Sequence, residues 1–325
     1  MNATAIIQSL TEPAHWLDTA PARWAACLGA RDQALDQLTG QSAVLPAAGR
    51  RYRGVGLLGL ADDTGIELNQ GRPGARLGPA AFRTALQGYG SSEAIALSTA
   101  SMPVIDLGDV VVGADLEQTH HNVTQLVMAV LELGLFPVSI GGGHDLTFPF
   151  VRAVIDSFNA DARTDFDGIY FDAHLDVRDT LGSGMPFRAL VEHGRVHSLQ
   201  LFGMDPLANR REHFNWFEQH GGVLADWPAH AWPQTRAQFV SVDLDVVDMA
   251  QAPGVSAPAP AGWASTRLAD YAEAAGRHPD VCCFDIMELS PPHDHDQRTA
   301  RLAAHLFLRF LSGLQQRVDA ARPST

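Results

Sequence analysis

Short apolar runs alternate with longer amphipathic segments along most of this chain, and this alternation constrains the fold more than any other feature. Runs rich in β-branched and aromatic residues predict strands, and they lie at residues 54–60, 104–107, 136–140, 168–171, 198–202, 239–242 and 281–284. Helices are predicted at residues 79–86, 116–133, 148–158, 187–193, 208–219, 263–275 and 299–317. Strands that alternate with helices form a mostly parallel sheet covered on both faces. The pattern therefore predicts an α/β fold.

The first fifty residues precede this alternation. Residues 12–38 are predicted to be helical, with Trp16, Trp24, Cys27 and Leu35 as apolar markers. The chain has 325 residues, and α/β domains of this class are often large. We expect a single domain over residues 1–325, with residues 1–50 as a helical extension packed on it.

Charge and basic residues exclude several functions. The formal net charge is −14 and there is no basic run. Nucleic acid is therefore not an expected partner, since binding there requires basic side chains that neutralise phosphates. All 23 basic side chains are arginine, which excludes Schiff-base, pyridoxal-phosphate and P-loop lysine chemistry. The expected partner is a small-molecule amino-acid substrate.

Three cysteines are too few for a disulfide framework, and Cys282 and Cys283 are expected to be buried in a strand. No apolar run approaches the length of a membrane span, and no basic start followed by an apolar stretch opens the chain. We expect a cytoplasmic protein with no membrane partner.

Polar clusters directly follow four of the predicted strands. GGGHD follows VSI, DAHLD follows IYF, DLD follows FVSV, and DIMEL follows VCCF. In open α/β sheets, ligands bind in the crevice at the carboxyl ends of the strands. The four clusters are therefore predicted to meet in one site.

Six side chains of these clusters are of the metal-ligating type, and they are His144, Asp172, His174, Asp176, Asp243 and Asp245. In DAHLD and DLD they alternate with other residues, and alternate residues of an extended segment face the same side. A lone GGGH or DxD is also common as ordinary loop structure. All three motifs in order, each after a strand, indicate a shared metal site.

The donor set indicates the kind of metal. Four carboxylates packed together repel one another strongly unless cations lie between them. Oxygen-rich ligands with two imidazoles and no thiolate favour Mn²⁺ over Mg²⁺, Ca²⁺ or a structural zinc ion. Six ligands are too many for one catalytic ion with open positions, so two ions that share bridging carboxylates fit the count. The sequence therefore predicts a hydrolase with two Mn²⁺ ions per subunit.

These motifs resemble the ureohydrolase family, which includes arginases, agmatinases and formimidoylglutamases. GGGHD, DAHLD and SVDLDVVDMAQAPGVSAPAPAG carry the resemblance, and NQGRPGARLGPAAFR and DIMELSPPHDHDQRTARLAA agree with it. It extends over about residues 57–317. The resemblance implies a three-layer α/β/α sandwich with a central, mostly parallel sheet of about eight strands, as in arginase. It also implies a dinuclear manganese cluster and a homo-oligomer.

The resemblance further implies a role for each ligand. The first ion would be held by His144, Asp172, Asp176 and Asp243. The second ion would be held by Asp172, His174, Asp243 and Asp245. The two shared aspartates would bridge the ions. Glu288 occupies the position of the glutamate that faces the guanidinium group in arginases.

Two departures from the arginase pattern indicate one branch of the family. Ser183 occupies the position of a histidine that precedes Gly-Met-Pro or Gly-Thr-Pro in arginases and agmatinases. Arg178 replaces an asparagine two residues after the last aspartate of DAHxD. Both features, together with the APGVSAP segment at residues 252–258, resemble the formimidoylglutamases.

The arginine beside the metal motif is compatible with a dicarboxylic substrate. Arginine can bind a carboxylate through two parallel hydrogen bonds, and it repels a cationic tail such as the amine of agmatine. Arg178 is therefore the candidate for one carboxylate of formimino-glutamate, and Arg72 or Arg188 for the other. Arg72 and Arg188 are equally suited to ordinary ion pairs.

The expected reaction converts N-formimino-L-glutamate and water to L-glutamate and formamide, a step of histidine degradation. Glu288 would orient the cationic nitrogen, and Ser183 would line the substrate site. Asp176 or a water molecule would carry the proton, because the usual histidine is absent.

Three alternatives stay open at this point. Another carboxylate-bearing guanidino compound could be the substrate, with release of urea. A non-catalytic metal-binding relative would be expected to lose a ligand, and none of the six is lost. A metal-dependent deacetylase would use one zinc ion and a nearby histidine pair. The combination of DAHLD and DLD argues against this class of enzyme.

Other polar residues are expected to have structural roles. The histidine pair at residues 120–121 is expected to face solvent at the start of a helix. The HDHD run at residues 293–296 is expected to be a loop before the last helix, with Asp296 or Thr299 near the helix amino terminus. Asp145 is expected to cap a turn or to support a ligand.

Overall fold

A computed structural model describes residues 1–14, 16, 31–39, 52–90, 102–158, 165–233 and 236–320. The strands in these ranges are β1 Thr11–Glu12, β2 Gly54–Leu60, β3 Val104–Val110, β4 Leu135–Gly141, β5 Phe166–Phe171, β6 Val196–Phe202, β7 Gly222–Leu224, β8 Ala237–Asp243 and β9 Val281–Met287. The helices are α1 Ala3–Leu10, α2 Arg31–Thr39, α3 Thr64–Leu68, α4 Gly78–Leu86, α5 Leu116–Glu132, α6 Thr147–Ser157, α7 Pro186–His193, α8 Arg211–Gln219, α9 Ser265–Arg277 and α10 Arg298–Ala320.

All nine strands belong to one sheet, in the order β1-β3-β2-β4-β9-β8-β5-β6-β7. β1 runs antiparallel to β3, and the other neighbouring strands run parallel to one another. Each predicted strand lies within an observed strand. The short edge strands β1 and β7 were not predicted.

Both faces of the sheet are buried. In β8, Val240 and Val242 belong to one hydrophobic core with Phe307 of α10, while Phe239 belongs to a second core with Phe150 of α6. Successive side chains of a strand point to opposite faces, so helices cover the sheet on both sides. The prediction of a three-layer α/β/α sandwich is confirmed. Cys282 and Cys283 are buried in β9, as expected.

The amino-terminal segment differs from its prediction. Helix α1 ends at Leu10, and Glu12 lies in β1, so residue 12 does not begin a helix. The residue before a proline is biased towards extended backbone, and Pro13 follows directly. Leu35 is buried in α2, as its apolar character indicated, whereas Trp24 and Cys27 lie outside the described residues.

The sheet places the four polar clusters side by side. β4, β9, β8 and β5 are consecutive neighbours, and Ile140, Ile286, Val242 and Phe171 form one continuous row of register partners across them. GGGHD, DAHLD and DLD begin just after this row, and DIMEL extends across it to Glu288. Among the described residues, no helix is both long and apolar enough to cross a membrane.

Candidate metal centre and substrate cavity

The six predicted ligands lie together at the carboxyl ends of these central strands. Their donor atoms form two groups, each with all atoms within 4.8 Å of one another. The first group contains His144, Asp172, Asp176 and Asp243. The second contains Asp172, His174 and Asp245. The structure thus brings all six residues into one cluster.

Asp172 extends between the two groups. Its Oδ2 lies 3.2 Å from His144 Nδ1, and its Oδ1 lies 3.3 Å from His174 Nδ1. A carboxylate that presents one oxygen to each group has the geometry of a bridge between two ions. Asp243 belongs to the first group, and its Oδ1 accepts the backbone N–H of Asp245 at 2.8 Å.

The donor atoms are close enough together to bind a shared cation. His144 Nδ1 lies 2.9 Å from Asp176 Oδ2 and 3.2 Å from Asp243 Oδ2, and His174 Nδ1 lies 3.1 Å from Asp245 Oδ2. Two ligand atoms that are each about 2.1 Å from one ion and at right angles to each other lie about 3.0 Å apart.

Three polar atoms of the cluster and one of the neighbouring Glu288 are buried without a hydrogen-bond partner in the described part of the chain. They are His144 Nδ1, Asp172 Oδ2, Asp245 Oδ1 and Glu288 Oε2. A buried polar atom without a partner is costly, so its presence calls for an explanation. Nitrogen and carboxylate oxygen atoms that face one another are the donors that a divalent cation requires. The residues present therefore fit a pair of such ions.

The electrostatics of the cluster lead to the same conclusion. Burial, followed by the charges of Asp176 and Asp245, raises the pKa of Asp172 to about 6. Burial alone would lower the pKa of His144, but its contacts with the surrounding carboxylates raise it well above its usual value. The cluster therefore carries an excess of negative charge that a proton or a metal cation can neutralise.

The local backbone differs from the extended segments that the motif spacing predicted. Asp245 lies in a single 3-10 turn at Leu244–Val246, and Asp176 has a φ of +48°. The backbone N–H of His174 donates to Asp172 Oδ1 at 2.6 Å, which closes a tight turn. Side-chain alternation along a strand is thus not what assembles the ligands. Tight turns at the strand ends bring them together.

Glu288 follows β9 and also adopts a left-handed conformation, with a φ of +67°. Its Oε1 accepts the backbone N–H of His144 at 2.9 Å. Burial raises the pKa of Glu288 to about 8, against a smaller opposing effect of Ser256. A non-glycine residue in this region is strained, and such strain concentrates at functional sites.

A cavity opens directly above the metal cluster. Its wall is formed by the ligands His174, Asp176, Asp243 and Asp245, by Glu288, and by Asn69, Gly71, Arg178, Ser183, Ala208, Asn209, Arg210, His213, Ser256 and Ala257. Of the predicted substrate-binding residues, Arg178, Ser183 and Glu288 line this cavity. It is a concave site with convergent polar groups, as small-molecule sites are.

The sequence model of the arginase family matches residues 53–313 of this chain. The chain belongs to the arginase family. The formimidoylglutamase of Salmonella paratyphi B is 32% identical over 270 residues, which cover 78% of this chain and 83% of that protein.

Solved structures of this family agree in fold. Trypanosoma cruzi formiminoglutamase with Mn²⁺ superposes with a TM-score of 0.72 at 29% identity, covering 86% of this chain and 98% of that one. Formimidoylglutamase from Bacillus subtilis superposes with a TM-score of 0.75, covering 96% and 98%. At 23% identity, the second comparison supports the fold alone.

Two arginines that were predicted from the sequence to bind substrate in this arginase-family site lie outside the cavity. Arg188 pairs with Glu192 at 2.8 Å and lies over the ring of Trp216. Arg72 donates to the backbone carbonyls of Val255 and Ser256, at 2.6 and 3.0 Å. Neither arginine lines the cavity. The ion pair of Arg188 is the alternative that the sequence had left open, whereas Arg72 contacts backbone carbonyls.

The cavity residues that were not singled out in the sequence include Asn69, Asn209, Arg210 and His213. Asn69 accepts from the guanidinium of Arg178 and donates to Ser183 Oγ at 3.1 Å, so it holds both in place. Its position at the start of the NQGRPGARLGPAAFR segment was the available signal. Arg210 and His213 carry no motif.

His120 corrects a further prediction. It is buried, and its Nε2 lies 2.9 Å from Asp145 Oδ2. His121 is exposed as expected. Asp145 directly follows His144, so the pair ties α5 to the loop that carries this ligand. This is the supporting role expected of Asp145.

The HDHD run is a loop before α10, as predicted, but a different aspartate caps the helix. Asp294 accepts the backbone N–H groups of Thr299 and Ala300, both at 3.0 Å. It also accepts the hydroxyl of Thr299 at 2.9 Å. Asp296 instead lies 3.5 Å from Arg298 and is exposed. The run is not among the candidate metal groups of the described residues.

Proposed function

We propose that this protein hydrolyses the formimino group of N-formimino-L-glutamate to give L-glutamate and formamide, a step of histidine degradation. The observation that carries the proposal is the position of Arg178, which lies in the cavity wall together with the metal-ligand candidates and donates to Asn69 of the same wall. A carboxylate-bearing amidine can place its anionic end there. The similarity to proteins named formimidoylglutamase supports the same substrate.

We further propose two Mn²⁺ ions per subunit. His144, Asp172, Asp176 and Asp243 would hold one ion, and Asp172, His174 and Asp245 would hold the other. The mixed carboxylate and imidazole donors support manganese, as does the Mn²⁺ in the Trypanosoma cruzi structure. Such a pair supplies a water-derived nucleophile near neutral pH and positive charge that stabilises the transition state.

Glu288 is proposed to orient the cationic formimino group. Its carboxyl lines the cavity beside the metal cluster, and one oxygen is already fixed by the backbone of His144. An opposite charge close to a carboxylate favours its ionised form. A formimino cation beside Glu288 would therefore offset the burial that raises its pKa.

Asp176 is proposed to carry the proton that the departing amine of glutamate requires. Its side chain is partly exposed to the cavity, in contrast to the fully buried Asp172. Ser183, which replaces the family histidine, has a hydroxyl held by Asn69. A hydroxyl does not change its charge near neutral pH, so Asp176 is the better candidate for this transfer.

Arg210 is the proposed anchor for the second carboxylate. Arg210 lies in the cavity wall. Burial lowers the pKa of His213, and the positive charges of Arg178 and Arg210 lower it further. Both guanidinium groups therefore lie near this imidazole. Asn209 accepts the backbone N–H of Leu175 at 2.9 Å and donates to Ala173 O at 2.8 Å, which fixes the Arg210 loop against DAHLD.

The test is a substrate panel with the manganese-loaded protein, comparing formimino-glutamate, arginine, agmatine and guanidino acids. The expected result is the highest kcat/KM on formimino-glutamate, with formamide and glutamate as products. Faster hydrolysis of arginine or agmatine would refute the proposal. Faster hydrolysis of a guanidino acid, with release of urea, would support the second candidate, because Arg178 and Glu288 suit that substrate as well.

A further inference from the structure

The two ring nitrogens of His144 face different surroundings. Nδ1 faces the carboxylates of the metal cluster, at distances of 2.9–3.2 Å. Nε2 faces the opposite way and lies 3.0 Å from Ser241 Oγ. The ring is 1% exposed, so solvent does not provide an alternative partner for either nitrogen.

Ser241 is the first member of a buried hydrogen-bonded chain. Ser241 Oγ lies 2.5 Å from Asp285 Oδ1, and Thr147 Oγ1 lies 3.0 Å from Asp285 Oδ2. Ser241, Thr147 and Asp285 are all 0% exposed. Ser241 and Asp285 are register partners on the neighbouring strands β8 and β9, so the sheet itself sets their separation.

The donors and acceptors of this chain can be assigned from their chemistry. Each oxygen of Asp285 accepts from one hydroxyl, Oδ1 from Ser241 and Oδ2 from Thr147, as expected of an ionised carboxylate. The single hydroxyl proton of Ser241 is therefore donated to Asp285. The oxygen of Ser241 is then left as an acceptor, and the group facing it is Nε2 of His144. That nitrogen must carry the donated proton.

We infer that Asp285 and Ser241 are positioning residues that keep the proton of His144 on Nε2, so that Nδ1 is the nitrogen that binds the cation. An imidazole ligand must offer one unprotonated nitrogen, and the partner of the other nitrogen selects which one. Neither residue touches the proposed substrate cavity. The inference rests on the metal-binding role of His144 in the proposed function, and it is independent of the substrate.

Ser241→Ala tests the inference, because it removes the acceptor from Nε2 and changes little else in volume. The matched control is Ser139→Ala. Ser139 is also fully buried and is a register partner of Asp285 on β4, but its hydroxyl has no hydrogen-bond partner within the described residues. Both variants lose one buried hydroxyl from the same region of the sheet.

The measurement is the number and affinity of bound Mn²⁺ ions, determined by chelator competition with substrate absent. In Ser241→Ala, one of the two ions is expected to bind about 10- to 100-fold more weakly. The other ion should bind as in the unaltered protein, and Ser139→Ala should retain both affinities. Equal affinities in Ser241→Ala and the unaltered protein would overturn the inference, as would an equal loss in Ser139→Ala.

A second variant guards against a folding defect. If metal-free Ser241→Ala has lost its cooperative thermal unfolding, Asp285→Asn poses the same question with nearly unchanged volume. Its amide can donate to Ser241, which frees the serine proton to turn towards Nε2, and the same selective loss of one ion is expected. Unchanged binding of both ions in that variant overturns the inference. Absence of Mn²⁺ binding by the unaltered protein would instead refute the proposed function.

Discussion

Replacing Arg178 by glutamine removes the proposed carboxylate anchor while keeping a polar side chain of similar length. A hydrogen bond to a charged group contributes about 1.5–3 kcal/mol. Arg178 is exposed to solvent, so a value near the lower end, about 1.5–2 kcal/mol, is appropriate. This corresponds to a loss of about 10- to 30-fold in kcat/KM for formimino-glutamate. Because the carboxylates lie away from the reacting carbon, the loss is expected mainly in KM.

Arg188→Gln is the matched control for this experiment. It removes the same charge from the adjacent helix α7, where Arg188 pairs with Glu192 outside the cavity. Release of glutamate and formamide would be measured with manganese-loaded proteins over a range of substrate concentrations. The control should retain its KM within about twofold, since surface ion pairs contribute little. The reasoning is refuted if both variants raise KM alike, or if Arg178→Gln leaves KM unchanged.

Four further substitutions test other parts of the structure. Asp172→Asn is expected to lower the manganese content to one ion or fewer, measured by elemental analysis, because Asp172 faces both groups; two retained ions would contradict this. Glu288→Gln keeps the acceptor for the His144 backbone but loses the charge, so kcat should fall about 100-fold at unchanged metal content; an unchanged kcat would argue against its role. Arg210→Gln should raise KM for formimino-glutamate but not for a monocarboxylic amidine, and an equal effect on both would exclude it as the second anchor. Arg83 is buried against two aspartates of β3, so Arg83→Leu should lower the free energy of unfolding by about 3–5 kcal/mol in urea titrations; a change below about 1 kcal/mol would contradict the buried-pair interpretation.

The central strands and the metal ligands were predictable because their signals are local. A parallel strand that is buried on both faces is a continuous apolar run, and β2 was predicted with its observed bounds. The ligands follow such runs directly, and parallel strands end at the same edge of the sheet. The prediction of their proximity therefore held, although Asp245 and Asp176 reach the cluster through turns and not through strand alternation.

The substrate side of the cavity was less predictable because it depends on contacts between distant segments. Arg188 and Arg178 lie ten residues apart, but Arg188 turns along α7 to Glu192. Arg210 enters the cavity wall because Asn209 binds the backbone of the DAHLD segment. In the same way, His120 is buried and its imidazole contacts the carboxylate of Asp145, which lies in the loop after β4. The periodicity of the sequence does not predict such contacts between distant segments.

Metal binding and substrate recognition, the two tasks of the proposed enzyme, are carried out by different parts of the structure. The metal ligands and Glu288 follow four strands whose register is set by the central sheet, so their positions are tightly constrained. Arg178 and Arg210 lie in loops at the cavity wall and are exposed. Loops tolerate substitution far better than the strands that support them. Exchanging these arginines should therefore alter which amidine binds without removing the metal ions, and a loss of manganese from Arg178→Gln or Arg210→Gln would show that the two tasks are coupled.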